Sequence, residues 1–306
     1  MVTAIARPAA QNARGAAHML AGVMLFSVMD AMVKWLVADY PVHQIVFFRT
    51  VFALIPCLFF VVRAGGLVTL RTRRPMVHII RGLIGLAAMG CYFYAFALMD
   101  LADAKAILFS APLFMTVLAI PLLGEKVGIF RWSAVLVGFL GVLIIVKPGS
   151  DMLQVGAAAG IGGAVLYALA VITVRHLSAT DSAASITFYF TLTGAIAGTI
   201  MVLTLGWVSP SPQDLALLIC VGLIGGVGQY CLTQAFRYAE AAAIAPLEYL
   251  SMAWALLLGY FIWNDIPEYE VFVGIALVVA SGLFILYRER QLSTVRKSRL
   301  PKVRVR

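Results

Sequence analysis

The sequence predicts an all-α membrane protein with ten transmembrane helices, arranged as two inverted five-helix repeats with both termini in the cytoplasm. The 306-residue chain is 62% apolar and only 12% charged, and its mean hydropathy is +0.98. Such a composition leaves too little polar surface to coat a water-soluble domain. The apolar residues fall into helix-length runs, and the first half of the chain is similar to the second.

Ten apolar stretches have lengths near the roughly 20 residues that a helix needs to cross the hydrocarbon core. The connections are short apart from residues 63–78, and no soluble domain is left over. The first stretch is too long and too charged for a cleaved signal peptide, so we expect it to remain in the mature protein. The predicted spans are residues 17–38, 42–62, 79–98, 104–123, 130–146, 155–175, 184–205, 213–235, 241–262 and 270–287.

Lys and Arg residues are distributed unevenly between the two sides of the predicted bundle. With the N-terminus inside, 19 of the 23 fall on the cytoplasmic side, among them Arg81, and only Lys105 and Lys147 fall at the outer edge. Short cytoplasmic loops carry such an excess, which predicts that both ends are cytoplasmic. The net charge of +9 therefore reflects topology and not nucleic-acid binding. The basic tail is expected to anchor at anionic lipid headgroups.

The chain repeats itself after about 140 residues. A shift of 140 places residues 82–85 on residues 222–225, both Gly-Leu-Ile-Gly, and a shift of 141 places Thr50 on Thr191. Because five helices is an odd number, the second repeat enters the membrane from the opposite side, as in many secondary transporters. The predicted division is a cytoplasmic segment at 1–16, repeats at 17–147 and 155–288, and a basic cytoplasmic tail at 289–306.

Ionisable residues inside the predicted spans are few, and such residues usually face a protein interior or a water-filled cavity. Asp30 and Lys34 lie four residues apart on one face of helix 1, Arg49 lies in helix 2, and Glu248 lies in helix 9. We expect Asp30 and Lys34 to offer complementary charges to a zwitterion. Arg49 and Glu248 would balance these charges or couple protons. Local pairing of Asp30 with Lys34, snorkelling of Arg49 and a structural ion pair of Glu248 are the alternatives.

Prolines and uncharged side chains mark further candidates within the spans. Pro112 and Pro246 occur in the repeat-equivalent helices 4 and 9, where a lost backbone hydrogen bond can turn a carbonyl toward a cavity. A plain kink without a transport role is the alternative. Residues that could shape a substrate cavity, each also explicable as core packing, are Tyr92, Phe96, Tyr167, Gln229, Thr233 and Trp254.

Patterns typical of catalysis or of a bound cofactor do not occur in this sequence. The four His residues lie near span ends, and the four Cys residues lack metal-ligand spacing. There is no nucleophile elbow or phosphate loop. We therefore expect no enzyme activity, no metal and no cofactor, with a membrane-embedded enzyme as a remote alternative.

Several short motifs, taken in order, resemble the EamA-type ten-helix branch of the drug/metabolite transporter superfamily. They are the Phe-Ser-x-x-Asp-Ala-x-x-Lys run at 26–34, the stretch before Gly124-Glu125, and the Ala-Pro-Leu-Glu-Tyr-Leu run from Ala245. The resemblance covers about residues 17–288. It implies alternating access through a central cavity, lined largely by helices 1, 3, 4, 6, 8 and 9.

The resemblance also implies an inner-membrane protein whose partners are a small organic substrate and the lipid bilayer. A monomer is our own expectation and does not follow from the resemblance. Relatives include YddG-type amino-acid exporters, and amino-acid export is the function we expect. Uptake of a larger cofactor-like solute, of the riboflavin or S-adenosylmethionine type, is the alternative. The size of the cavity distinguishes the two, because a fused ring system needs more room than an amino acid.

Overall fold

The computed structural model describes residues 9–123, 128–146, 151–178, 180–239 and 244–298. The regular secondary structure in these ranges is helical, without strands. Seven helical stretches of the described residues are long and apolar enough to cross a membrane, and two of them, 42–63 and 101–118, each include parts of two successive α-helices. Three shorter apolar helices lie at residues 132–146, 247–263 and 269–285, where further spans are predicted. The count of ten spans and the side of the membrane on which the termini lie stay predictions.

Twelve α-helices are present in the described ranges, and short turns connect most of them. A 3-10 turn at Ala245–Tyr249 precedes α11, and a π-helical turn at Gly259–Trp263 follows it. The α-helices are α1 (Ala9–Leu36), α2 (Val42–Val51), α3 (Leu54–Arg63), α4 (Pro75–Leu98), α5 (Leu101–Leu108), α6 (Ala111–Leu123), α7 (Ile129–Val146), α8 (Asp151–Leu177), α9 (Ala183–Leu205), α10 (Pro212–Tyr238), α11 (Leu250–Leu258) and α12 (Tyr269–Ser298).

Two predicted spans are interrupted next to a proline. Predicted helix 2 is divided into α2 and α3, and predicted helix 4 into α5 and α6. Pro56 has no N–H to bond to the Phe52 carbonyl, and Pro112 has none for Leu108, the last residue of α5. The missing bond weakens the helix at these positions, so each predicted span becomes two shorter helices.

Helices from the two halves of the chain pack in equivalent pairs. α1 lies along α10, and α4 lies along α8. A Cβ added at Gly22 would lie 3.4 Å from the Gly228 carbonyl oxygen, and one at Gly163 would lie 3.5 Å from the Ala88 carbonyl oxygen. A shift of 141 converts Gly22 into Gly163, and a shift of 140 converts Ala88 into Gly228. The same close approach of two helices is therefore made twice.

Polar contacts join the two halves at the end of the bundle where α1 ends and α10 begins. The buried Gln44 amide donates to the Val208 carbonyl at 2.8 Å and accepts from the Val208 N–H at 2.9 Å. The Tyr40 hydroxyl donates to the Asp214 carboxylate at 2.9 Å. These bonds tie the α1–α2 connection to the α9–α10 connection, and we call this the closed end of the bundle.

The largest apolar core lies at the same closed end. Leu36, Ile45, Phe96, Leu101 and Leu218 are each at most 1% exposed and belong to one contiguous cluster. Close packing of this kind leaves few voids larger than a water molecule. The packed cluster therefore separates the interior of the bundle from this end.

Candidate functional site

A cavity of about 290 Å³ lies at the centre of the bundle, between the two repeats. Residues from α1, α4, α5, α6, α8, α10 and the 3-10 turn line it, and α2, α9, α11 and α12 add further residues. The lining runs from Asp30 and Lys105 in the interior to Arg81, Thr116 and Phe236. These last three lie toward the end at which α4 begins, so the cavity extends away from the closed end.

An ion pair between α1 and α5 lies at the inner end of the cavity. The Lys105 ammonium is 2.5 Å from Asp30 Oδ2, and the two side chains are 8% and 2% exposed. The prediction that Lys105 lies at the outer edge is wrong, because its long side chain turns inward from the first part of α5 and reaches α1. The alternative of local pairing between Asp30 and Lys34 is also wrong, because the Asp30 carboxylate forms its ion pair with Lys105.

Lys34 is placed at the closed end and does not line the cavity. Its ammonium donates to the carbonyls of Phe96 at 3.0 Å and Met99 at 2.6 Å. These carbonyls lie at the C-terminal end of α4, where the last carbonyl groups of a helix lack intrahelical hydrogen-bond donors and a positive charge is favourable. Burial and the carboxylate of Asp100 raise the pKa of nearby Asp265, and the positive charge of Lys34 opposes that rise. The structure thus assigns Lys34 to a contact between helices.

Two guanidinium groups line the cavity. Arg49 is 2% exposed, which excludes snorkelling, and it donates to the Gly225 carbonyl at 3.2 Å. Arg81 is 6% exposed, and its Cζ lies 4.5 Å from the centroid of the Phe190 ring. The assignment of Arg81 to the cytoplasmic side is corrected, because α4 begins at Pro75 and carries Arg81 into the bundle. Counting charges near span ends records sequence distance only and does not show which way a side chain turns.

Several buried polar atoms around the cavity lack a hydrogen-bond partner among the residues that the structure describes. They include Nε and Nη1 of both Arg49 and Arg81, and the hydroxyl of Tyr249. In folded proteins the large majority of buried polar side-chain atoms are paired with protein or water. A group of such atoms around one cavity indicates a site for a polar ligand or for water. Tyr167 and Glu248 also line this cavity.

Aromatic rings form much of the remaining wall. Phe109 and Tyr249 stack with their ring centroids 4.9 Å apart, and a shift of 140 places one on the other. Pro112, next to the break between α5 and α6, lines the cavity as well. Further rings on the wall are those of Phe26, Phe93, Phe190 and Phe236.

Four of the uncharged candidates lie outside the lining of the cavity. Phe96 is fully buried and packs against the Tyr92 ring at 4.4 Å. The Thr233 hydroxyl donates to the Gln229 carbonyl at 2.8 Å, within α10. Trp254 is 38% exposed on the bundle surface. The position of a residue within a helical sequence does not by itself show which way its side chain points. The other two uncharged candidates, Tyr92 and Tyr167, do line the cavity.

Another buried polar contact joins the halves where α4 and α9 begin. His78 Nε2 lies 3.5 Å from the Asp181 carboxylate, and the His78 ring lies 4.6 Å from that of Tyr189. Burial alone would raise the pKa of Asp181, but hydrogen bonds from Thr180, Thr72 and His78 hold that pKa below its ordinary value. This contact belongs to the end of the bundle toward which the cavity extends.

A bundle of apolar helices around one charged and aromatic cavity, sealed toward one end, is the architecture of a membrane transport protein. Residues 13–147 and 154–287 each match the EamA-like transporter family, once per repeat. The chain belongs to that family and is a multi-pass membrane protein.

Three relatives extend over nearly the whole chain. The S-adenosylmethionine uptake transporter of Rickettsia conorii is 31% identical over 90% of this chain and 94% of its own length. The pseudopaline exporter CntI of Pseudomonas aeruginosa is 33% identical over 89% and 93%. The riboflavin transporter of Rhizobium johnstonii is 28% identical over 90% and 91%. One solved crystal structure, at 18% identity, has a TM-score of 0.67 over 92% of this chain and 99% of that one, which supports the fold.

Proposed function

We propose that this chain is a secondary transporter of the inner membrane that carries an amino-acid-derived metabolite by alternating access. The charge composition of the central cavity carries this proposal. The carboxylates of Asp30 and Glu248 and the cations of Arg49, Arg81 and Lys105 line a single space. A zwitterionic substrate has an ammonium and a carboxylate, and each can form charge-assisted hydrogen bonds with groups of opposite sign. Ionisable groups inside membrane spans commonly mark such a pathway.

The aromatic wall of the cavity, more than its volume, favours a substrate larger than a plain amino acid. The cavity volume of 290 Å³ is close to the lower end of the range of about 300–1,000 Å³ that is common for pockets of drug-sized ligands. The stacked pair of Phe109 and Tyr249 offers aromatic surface to a ring system. S-adenosylmethionine joins an amino-acid group to a nucleoside, which suits both kinds of wall. We therefore favour an amino-acid group attached to a ring-bearing body.

Export of plain amino acids, the function expected from the sequence, is the second candidate. The same buried charges support it, but a plain amino acid would leave the aromatic part of the cavity to water. Riboflavin is uncharged and would leave the buried charges without partners, so it is less favoured than S-adenosylmethionine. The relatives include both uptake carriers and an exporter, so we propose the substrate class without a direction of transport.

Alternating access gives the contacts at the closed end a functional role. In the described conformation the cavity extends toward the end predicted to be cytoplasmic, while Gln44, Tyr40 and Lys34 hold the opposite end together. Transport requires these contacts to open while the other end closes around the substrate. The equivalent packing of α1 on α10 and of α4 on α8 provides two similar interfaces on which such a motion can occur.

Flux into sealed proteoliposomes tests the proposal. Labelled S-adenosylmethionine, a panel of amino acids and riboflavin would be measured with and without a pH gradient. We expect saturable flux of S-adenosylmethionine that is lost in Lys105→Ala and kept in Arg63→Gln, since Arg63 is exposed at the end of α3. Flux of plain amino acids alone would favour the second candidate, and absence of flux for every zwitterion would contradict both. Dependence on the gradient would favour Glu248 as a coupling residue.

A further inference from the structure

Arg81 differs from the other cations of the cavity in its surroundings. Lys105 is paired with Asp30, and Asp30 is also the electrostatic neighbour of Arg49. Within the described ranges, no ion pair joins Arg81 to a carboxylate. Its neighbours are the Phe190 ring and, electrostatically, Tyr167 and His78. The positive charge of Arg81 is therefore available to a ligand.

The Arg81 guanidinium is held in place by its packing. A Cβ added at Gly85 would overlap Arg81 Nη1 and would lie 2.9 Å from Phe190 Cε2, so the guanidinium occupies space that only a glycine leaves. The group is 6% exposed, and its Nε and Nη1 lack hydrogen-bond partners among the described residues. A planar guanidinium fixed in this way loses little further freedom when it binds.

A carboxylate is the partner that best fits such a group. Guanidinium and carboxylate form two parallel N–H···O bonds, which give both energy and orientation. A cation buried in a membrane span is unfavourable until it is paired, so a substrate carboxylate that enters the cavity relieves an existing cost.

We propose that Arg81 binds the carboxylate of the substrate, so that the transporter selects metabolites with a free carboxylate. This inference rests on the proposed function, because it takes the central cavity as the substrate site. The carboxylate lies beside Phe190 and Tyr167, on the side of the cavity where α4 begins. The rest of the substrate then faces the aromatic rings and the carboxylates of Asp30 and Glu248.

Two pairs of probes isolate the carboxylate. S-adenosylmethionine is compared with its decarboxylated analogue, and phenylalanine with phenethylamine, by equilibrium binding to the purified full chain. For the unmodified protein we expect the carboxylate member of each pair to bind at least about tenfold more tightly, as for a charge-assisted hydrogen bond. In Arg81→Gln this ratio should fall to about one, with the affinity for the decarboxylated member kept or improved.

Three variants control for folding and for general charge effects. Arg63→Gln is matched in chemistry, because Arg63 also lies over a ring, 5.7 Å from the centroid of Phe59, but is exposed. It should keep the full ratio. Arg81→Lys keeps a cation at the buried position and should lower the ratio several-fold, because lysine lacks the two parallel donors. Arg49→Gln removes a different cavity cation, and an equal loss of the ratio there would overturn the assignment to Arg81.

The outcomes separate the inference from the proposed function. A ratio that is unchanged in both Arg81→Gln and Arg81→Lys overturns the inference, while binding of the probes by the unmodified protein leaves the proposed function standing. If the unmodified protein binds none of the four probes and transports no zwitterion, the proposed function fails and the inference fails with it.

Discussion

The two repeats share their packing but differ in their chemistry. In the first repeat the glycine face of α4 at Gly85 lies against Phe190, and in the second the glycine face of α10 at Gly225 lies against Arg49. A shift of 140 relates the glycines, and a shift of 141 relates their partners. The backbone therefore makes the same approach twice, with an apolar ring at one copy and a guanidinium at the other.

The same difference holds for every charged residue of the cavity. Applying the two shifts to the charged residues gives an apolar residue each time, so the charged lining of the cavity is asymmetric although the packing around it is duplicated. Because the packing is duplicated, the protein has two similar interfaces on which movement can occur. Because each charged residue has an apolar equivalent in the other repeat, the cavity favours one orientation of one substrate. The correspondences are Asp30 with Val171, Arg49 with Phe190, Arg81 with Val221, Lys105 with Ala245, and Glu248 with Leu108.

Of the substitutions at these positions, Lys105→Ala should have the largest effect. It places in the first repeat the alanine that the second repeat has at the equivalent position, Ala245. It leaves the Asp30 carboxylate buried without its partner, which costs about 3–5 kcal/mol for a buried ion pair. We expect transport to fall more than about 100-fold, since each 1.4 kcal/mol is a factor of ten. Proteoliposome flux and the melting temperature of the purified protein measure the two effects.

The double variant Asp30→Val with Lys105→Ala makes both positions match the second repeat. Removing both charges together avoids an unpaired buried carboxylate, so most of the lost stability should return. Transport should stay absent, because the cavity has lost its ionic pair. Recovery of transport in the double variant would show that the symmetric cavity is sufficient.

Arg49→Phe tests the same difference between the repeats at Gly225 of α10, the glycine against which Arg49 packs. The equivalent Phe190 already packs on Gly85, so a ring should fit on Gly225 and the melting temperature should stay within a few degrees. Transport should fall by about 10- to 100-fold, the value of one or two charge-assisted hydrogen bonds. Arg63→Phe, at an exposed position, is the matched control and should transport normally. Normal transport by Arg49→Phe would remove Arg49 from the site.

The frame of the protein was predictable from sequence, but the pairing of its charges was not. Lengths of apolar runs and a displaced copy of Gly82–Gly85 are properties of the chain alone. Asp30 and Lys34 were expected to offer their charges to a substrate, with local pairing of the two as the alternative, whereas the partner of Asp30 is Lys105. That pairing depends on how α1 packs against α5. Arg81 was missed because a basic residue near a span end usually faces the cytoplasm, and only tertiary structure shows it turned inward.

Gly222→Ala tests the shared packing without touching a charge. Its new Cβ would lie 2.6 Å from the Phe48 carbonyl oxygen, while the equivalent Gly82→Ala would lie 2.7 Å from the Thr193 side chain. Both should destabilise the protein by about 1–3 kcal/mol through overpacking. Gly90→Ala is the control, since nothing lies within 4 Å of its added Cβ, and it should gain about 0.5–1 kcal/mol as a glycine replaced within a helix. A normal melting temperature for only one of the first two would contradict equivalent packing.

Lys34→Ala should have the smallest effect on transport and separates closure from binding. Lys34 ties α1 to the carbonyls of Phe96 and Met99 at the closed end, so its loss weakens one conformation and leaves the cavity wall intact. A hydrogen bond from a charged donor contributes about 1.5–3 kcal/mol when it is buried, but both bonds of Lys34 are only part-buried, so water replaces much of what they contribute. We therefore expect the conformational equilibrium to shift by about tenfold and flux to fall by a few-fold. Affinity for S-adenosylmethionine, measured on the same preparation, should stay within about twofold, whereas Lys105→Ala loses both affinity and flux. Parallel loss of affinity in Lys34→Ala would instead return Lys34 to the substrate site, beside the Asp30 carboxylate four residues away.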